Sequence, residues 1–330
     1  MAEVVLKGVS KSFGTTQAVR DVSMTVPDGA FVVLLGPTGA GKTTTLRLIA
    51  GLEAPDAGTV TIGGAPVNGT SPAERNVAMV FQQYSLYPHL TVRENLEFPL
   101  KSPMLKTPQS EIDEKITEVA RVLRIDHKLD NKSTQLSGGE MQRVSIGRAL
   151  VRDPSIFLMD EPLSSLDAKL RSELRIELKR IQAHLGATLL YVTHDQIEAM
   201  TMATHVGVLD EGRLVQFGSP REIYENPVST YVASRLGLPR INLLPVSMFP
   251  GGPKSATTIG LRPEQIEQGS GKDAKVIRVE HLGDQMRLHL ELEGQAITTL
   301  ADPHQDYEAG DTLKIQPRDP LYFDANGQRI

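Results

Sequence analysis

Gly36-Pro37-Thr38-Gly39-Ala40-Gly41-Lys42-Thr43-Thr44 directly follows the apolar run Phe31–Leu35 and precedes the helix-forming run Thr45 to Leu52. The spacing is GxxxxGK followed by Ser or Thr, in the setting that this spacing requires, a strand before it and a helix after it. Glycines let the backbone wrap close to a phosphate chain, while successive amide N–H groups and the helix N-terminus stabilise its negative charge. Lys42 is placed to reach the outer phosphates, and the Thr43 hydroxyl is placed to meet Mg²⁺. The plain alternative, a Gly-rich strand-to-helix turn without a ligand, explains the glycines but not the lysine. Either reading demands a buried strand with a helix packed on it.

The rest of the first 236 residues repeats that arrangement. Val77–Phe81, Ile156–Met159, Leu189–Val192 and Val206–Leu209 read as further strands between longer helical patterns, which implies an α/β fold with helices flanking a largely parallel sheet. From Lys169 to Leu185, Leu170, Leu174, Leu178, Ile181 and Leu185 fall at helical spacing and predict one amphipathic helix with that stripe in the core. Between Gly237 and Pro253 the text turns dense in Gly and Pro, a boundary signal. Beyond it Met286, Leu288, Leu290 and Leu292 alternate with polar residues, the mark of a half-buried strand. Thr257–Leu261, Lys275–Val279, Ala296–Leu300 and Thr312–Ile315 are further short strands, predicting a small all-β barrel or sandwich.

Composition removes several classes of function. With 330 residues the chain has room for about two domains. It has no Cys, so disulfides, thiolate nucleophiles and Cys-based metal sites are excluded, in keeping with a cytosolic address. A net charge of -5, from 35 Lys and Arg against 40 Asp and Glu, argues against coating nucleic acid. No apolar run approaches the roughly 20 residues of a membrane-spanning helix. The opening MAEVVLKGVS lacks the layout of a secretory leader and reads as a first strand.

Two further constellations carry chemistry. The strand Ile156-Phe157-Leu158-Met159 ends in Asp160 and Glu161, a placement that needs a cation or a proton to manage it. In a phosphate site Asp160 suits the Mg²⁺ shell and Glu161 suits a base that polarises an attacking water, which tilts the reading from kinase to hydrolase. Glu161 also reads simply as the start of a turn with Pro162. The second is Leu136-Ser137-Gly138-Gly139-Glu140-Met141-Gln142-Arg143, which opens a helix. Ser137 with Glu140 three residues on is a capping box, sufficient by itself to explain both residues.

In combination these residues resemble the ATP-binding cassette (ABC) ATPases. GPTGAGKTT is similar to that family's Walker A motif, IFLMDE to its Walker B and LSGGE to its signature, usually LSGGQ. Ser164-Ser165-Leu166-Asp167 resembles the D-loop, Thr193-His194-Asp195 the switch histidine, Gln82 the Q-loop and Phe13 the aromatic that stacks on adenine. The resemblance implies an ATPase using ATP and Mg²⁺, with Thr43, Gln82 and Asp160 at the metal and Glu161, His194 and Gln82 catalytic. It implies a head-to-tail dimer with a second copy, in which Ser137, Gly138, Gly139 and Glu140 of one chain meet the ATP held by the other and Asp167 lies nearby. Glu140 in place of Gln adds a carboxylate beside a phosphate, expected to slow closure or shift the pH dependence.

The segment VFQQYSLYPHLTVREN resembles that of import ATPases, in which the surface near the Q-loop receives a short helix from a membrane subunit; Tyr84 to Leu90 are the candidates for that contact. Arg240-Ile241-Asn242-Leu243-Leu244-Pro245, Gly260-Leu261-Arg262-Pro263-Glu264 and Val279 to Asp284 resemble the carboxyl-terminal TOBE/OB-like regulatory domain of maltose-type sugar importer ATPases. The expected organisation is an ATPase domain over 1–236, with a helical subdomain at about 84–152, and a β-barrel domain over 237–330. The implied function is ATP-driven uptake of a sugar, oligosaccharide, polyol or glycerol phosphate, with polyamine or metal-chelate import as the alternative. The implied place is the cytoplasmic face of the cell membrane, bound to two permease subunits and served by an extracytoplasmic solute-binding protein. Soluble cassette ATPases of DNA repair fit less well, since no long heptad insertion is present, as do those of translation, since Walker A occurs once. A P-loop nucleotide kinase leaves Glu161, His194 and Leu136 to Gln142 unexplained.

Overall fold

The first three strands, β1 (Val4–Phe13), β2 (Thr16–Val26) and β3 (Phe31–Leu35), divide between two sheets as their burial patterns require. β1 and β2 bury Val4, Leu6, Val9, Val19, Val22 and Val26 but leave Lys7, Asp21 and Ser23 exposed, which suits an antiparallel pair with one face in solvent. Every residue of β3 is buried, which suits a strand covered on both faces. The computed structural model describes residues 1–102 and 107–330, and the chain divides into two compact units, Met1–Pro220 and Arg221–Ile330.

In the first unit β3 is followed by α1 (Lys42–Ala50), β4 (Ala57–Ile62), β5 (Ala65–Pro66) and β6 (Val77–Val80). Three helices come next, α2 (Val92–Glu97), α3 (Gln109–Val122) and α4 (Gly138–Leu150), within the expected helical subdomain; residues 103–106 of that range lie outside the described residues. The unit closes with β7 (Ile156–Asp160), α5 (Ala168–Leu185), β8 (Leu189–Thr193), α6 (Gln196–Met202), β9 (His205–Asp210) and β10 (Arg213–Gly218). One sheet runs β2-β1-β4-β5 and is antiparallel; the other runs β10-β9-β3-β8-β7-β6 and is parallel except for β10.

That strand order positions the site. β8 lies between β3 and β7, with Leu35 opposite Thr193 and Asp160 opposite Val192. The residues that follow, Gly36, His194 and Glu161, therefore emerge side by side at the carboxyl edge, where open α/β sheets bind ligands. The amphipathic helix forms as expected, with Leu174, Leu178 and Ile181 buried, but Leu185 is 41% exposed. The stripe runs out in the last turn, where Gly186 at φ 59° ends the helix in a left-handed cap.

The second unit takes in α7 (Pro220–Glu225) from its second residue on and α8 (Thr230–Arg235), then seven strands: β11 (Asn242–Pro245), β12 (Thr258–Leu261), β13 (Ile266–His281), β14 (Met286–Leu292), β15 (Gln295–Ala301), β16 (Thr312–Pro317) and β17 (Leu321–Phe323). They form antiparallel sheets of order β11-β12-β17 and β15-β14-β13-β16. Leu244, Ile259 and Leu261 of one sheet share a core with Val276, Leu288, Leu290, Ile297 and Ile315 of the other. Met286, Leu288, Leu290 and Leu292 face inward as their alternation requires, and β11 and β17 are additions that their brevity hid.

The second unit starts at Arg221, whereas the Gly- and Pro-rich text placed the boundary at 236/237. The physical reason is Arg262, only 2% exposed. Its Nη2 donates to the Tyr224 carbonyl at 2.8 Å, and its Nη1 donates to the Ala233 carbonyl at 2.9 Å and to that of Leu236. The guanidinium also lies 3.9 Å from the centre of the Tyr224 ring. Carbonyls at the ends of α7 and α8, which need partners outside their helices, thus find them in the β domain. Burial, reinforced by a hydrogen bond to Glu264, pushes the Tyr224 phenol up to about 12. We expect Arg262→Ala to destabilise the second unit by about 3 kcal/mol by stranding these carbonyls. Chemical denaturation is the measurement; an unchanged transition would remove Arg262 as the clasp.

Candidate functional site

The loop after β3 follows from two glycines that no other residue can replace. A Cβ on Gly36 would stand 2.6 Å from the Leu209 carbonyl oxygen, and one on Gly41 would stand 2.4 Å from that of Ala18. Gly41 also adopts φ 94°, the left-handed region that other residues avoid. It caps α1 without any side-chain hydrogen bond, leaving the first-turn amides for a ligand. Thr38, Gly39, Gly41, Lys42, Thr43 and Thr44 line a cleft of about 720 Å³, together with Gln82 and Glu161.

Lys42 is 5% exposed, and its Nζ donates to the carbonyls of Gly36 and Pro37, each at 3.0 Å. Burial pulls its ammonium below the usual value, and Glu161, 3.7 Å away, works the other way. The Thr43 hydroxyl donates to Asp160 Oδ1 at 2.8 Å. Burial pushes the Asp160 carboxyl up, against the pull of that hydrogen bond. Glu161, at φ 44°, turns out of the strand, and its Oε2 lies 3.0 Å from His194 Nδ1. Lys42, Thr43, Asp160, Glu161 and His194 therefore form one connected polar cluster drawn from the start of α1, the end of β7 and the residues after β7 and β8. Among the described residues no group of three or more His, Cys, Asp or Glu would hold a metal alone. A hydroxyl beside a buried carboxylate nonetheless fits Mg²⁺, which commonly takes one or two protein oxygens and completes its shell from phosphates and water.

Other expected residues sit around this cluster. Gln82 Nε2 donates to Ser164 Oγ at 3.4 Å, and Ser164 Oγ donates in turn to the Glu161 carbonyl at 2.9 Å. Asp167 caps α5 by accepting from the Leu170 amide at 3.0 Å. Phe13 stands 46% exposed at the end of β1, paired with Thr16, which lines the cleft. Ser137, Gly138, Gly139 and Glu140 do not line it. Ser137 caps α4 in a full capping box, in which the Glu140 carboxylate accepts from the Ser137 amide at 2.8 Å, and that carboxylate also accepts from Ser137 Oγ at 2.9 Å and pairs with Lys128 at 3.1 Å. Sequence reasoning missed the cleft wall supplied by Thr16, Gln17, Ala18, Arg20 and Glu211. The available signal was that β2 follows directly on Phe13.

Residues 84–90 present a different surface. The Tyr87 amide donates to Asn95 Oδ1 at 2.9 Å, and Ser133 Oγ donates to the Tyr87 carbonyl at 2.8 Å. Arg148 donates to the Ser85 carbonyl and lies 5.1 Å from the Tyr87 ring centre. The backbone of the loop is thus pinned, while Pro88 and His89 are exposed and Leu86, Tyr87 and Leu90 half-exposed.

Known proteins resemble this chain in both units. Residues 19–164 match the ABC transporter family and residues 259–320 the TOBE domain. The chain is 44% identical to the sn-glycerol-3-phosphate import ATP-binding protein UgpC of Brucella abortus biovar 1 (strain 9-941), over 100% of this chain and 99% of that protein. It is 50% identical to the protein of the same name from Rhizobium meliloti (strain 1021), over 83% of this chain and 80% of that one. Among solved structures, the dimeric structure of a bacterial ABC transporter cassette is similar with a TM-score of 0.59 and 31% identity, covering 66% of this chain and 99% of that one.

The Glu140 network makes a stability prediction. The hydrogen bond from the Ser137 amide, aided by Lys128, holds the Glu140 carboxyl below its ordinary value. Its ionised form therefore stabilises the fold fully above the usual carboxylate range and ceases to as pH falls through the lowered value. Glu140→Gln keeps the cap but loses the charge, so we expect a loss of about 0.5–1 kcal/mol at neutral pH. The gap between variant and wild type should narrow between neutral pH and an acid pH below the usual carboxylate range. Denaturant melts at both pH values would expose the assignment if the gap stayed constant.

Proposed function

The chain belongs to the ABC transporter family and is an ATP-hydrolysing import subunit, and from that premise we propose how its residues divide the work and which solute it serves. The single observation that carries the division is the cluster of Lys42, Thr43, Asp160, Glu161 and His194 at one edge of the parallel sheet. ATP lies on Gly36 to Thr44, with its phosphates against the first turn of α1 and Lys42 turning from the Gly36 and Pro37 carbonyls to the outer phosphates. Phe13 stacks on the adenine. Thr43 and Asp160, with Gln82 nearby, would hold Mg²⁺, which neutralises charge on the phosphates. Glu161 accepts a proton from, and so polarises, the attacking water, while His194 orients Glu161 and the γ-phosphate.

The signature residues complete a site in a second copy of the chain. Ser137 is exposed and heads a 13-residue helix, α4, yet lies outside the chain's own cleft. This supports a head-to-tail dimer in which Ser137 and Gly139 meet the partner's γ-phosphate and Asp167 lies beside it. ATP bound between two chains favours the closed dimer by its differential affinity for that state. The pinned loop at 84–90, with its half-exposed apolar side chains, supports docking of the two permease subunits there. Among the described residues no helix is long and apolar enough to cross a membrane, which is compatible with a peripheral place on the cytoplasmic face.

The solute class is a carbohydrate or its phosphate, and sn-glycerol 3-phosphate is the candidate. Support comes from the full-length similarity to the glycerol-phosphate import proteins, which extends through the second unit. The chain selects nothing itself; it supplies the power stroke, and an extracytoplasmic binding protein presents the solute to the permeases.

We expect Lys42→Ala to abolish ATP turnover. Glu161→Gln should still bind ATP but turn over at least about 100-fold more slowly and accumulate as a dimer in ATP. Phosphate release and light scattering read both effects, and a Glu161→Gln chain turning over like wild type would remove Glu161 as the base. For the solute, the chain with its permeases in proteoliposomes should hydrolyse ATP faster when the loaded binding protein carries sn-glycerol 3-phosphate. Stimulation by a polyamine instead would overturn the carbohydrate assignment.

A further inference from the structure

We propose that Arg171 is a positioning residue that ties the loop at 164–167 to His194, an inference that rests on the roles given above to Glu161 and His194. Arg171 lies in the first turn of α5, where no acidic residue stands and where a cation opposes the helix dipole. The contacts of the guanidinium show what holds it there. Its Nη2 donates to the Leu166 carbonyl at 2.8 Å and, at the long limit of 3.5 Å, to that of Ser164. Its Nη1 lies 3.7 Å from Asp195 Oδ2. Its Nε is buried without a partner, so the two Nη groups alone orient the side chain.

Asp195 makes that contact consequential. Its Oδ1 accepts from the Ile197 amide at 2.7 Å and caps α6, and its own amide donates to Thr193 Oγ1 at 2.9 Å. Farther along α6 the helix is tethered by Tyr191, whose hydroxyl donates to the buried Glu198 Oε2 at 2.9 Å. His194 thus sits on a short loop whose downstream end is fastened to β8 through Tyr191 and to the 164–167 loop through Arg171. The contacts close a ring. Ser164 Oγ donates to the Glu161 carbonyl at 2.9 Å, Arg171 joins Ser164 and Leu166 to Asp195, and the neighbouring His194 returns to Glu161 at 3.0 Å. A shift at 164–167 reaches His194 on one side through Glu161 and on the other through the Arg171 guanidinium, and because reactions lose rate steeply when a group moves by an ångström, removing the second link should act on turnover rather than on binding.

The test uses the full-length chain and four variants: Arg171→Gln, Asp195→Asn, the double variant, and His194→Ala as the reference. Asp195→Asn keeps an oxygen to cap α6 while losing the charge that Arg171 meets. We expect Arg171→Gln to lower kcat by about tenfold or more, with KM for ATP within about twofold and the melting temperature within a few degrees. Asp195→Asn should lower kcat as well, and the double variant should be no slower than Arg171→Gln, because both break one link. The inference is overturned by wild-type kcat in Arg171→Gln while His194→Ala is inactive. It is equally overturned by losses that multiply in the double variant, or by a raised KM with a collapsed melting temperature, which would mark a structural role. His194→Ala at the wild-type rate would sink the reading of the histidine, and the inference with it.

Discussion

Asp160 and Glu161 are consecutive carboxylates at the end of a strand buried along its whole length, and the site depends on their being sent different ways. In continued extended backbone, Glu161 would leave on the opposite face from Asp160 with no link to the loop beside it. Instead Glu161 takes φ 44°, a left-handed conformation that costs about 1 kcal/mol or more for a residue with a Cβ. Its amide is held to the Val192 carbonyl at 3.0 Å, and its carboxylate to Lys42 and His194. Asp160 stays in the strand, opposite Val192, and accepts from Thr43. One acid is thus committed to Thr43 and the other to Lys42 and His194, by a single backbone angle that the neighbouring loops over-determine.

The scaffold beneath is built to make such a turn affordable. β3, β8 and β7 are buried at every residue, and a strand covered on both faces has little freedom to slip. Loops leaving rigid, adjacent strands inherit their precision, which is why the phosphate loop, the acid pair and the histidine meet within hydrogen-bond distance. The helical elements work differently. The surface at 84–90 is held through its backbone by Asn95, Ser133 and Arg148, which leaves Pro88 and His89 exposed. The second unit relies on the same device of side chains serving distant backbone, with Arg262 closing helix carbonyls that precede the β domain.

Much of this was legible in local text. The phosphate loop, the continuous apolar strands, the acid pair, the capping box at Ser137 and the alternation from Met286 to Leu292 each depend on residues within about ten positions, and each appears where the pattern required. What the text did not carry involves partners far apart along the chain. The antiparallel pairing of β1 with β2 and β4 was missed because its burial alternates only in part, and the cleft wall at Thr16 to Arg20 was missed with it. The membership of residues 221–236 was missed because Gly and Pro mark where the chain bends, whereas Arg262 decides what it packs on.

The sequence by itself determined the chemistry: which residues can cradle phosphate, accept a proton or end a helix, since these follow from side-chain type and short spacing. Only the tertiary structure decided which of them act together. Placing β8 between β3 and β7 joins residues 36–43, 160–161 and 194. Residues on neighbouring parallel strands meet through a register that no short window of sequence encodes. The links made by Arg171 and Arg262 are of the same kind, because a long cationic side chain gives no periodic signal and takes its meaning from the carbonyls that the fold brings to it.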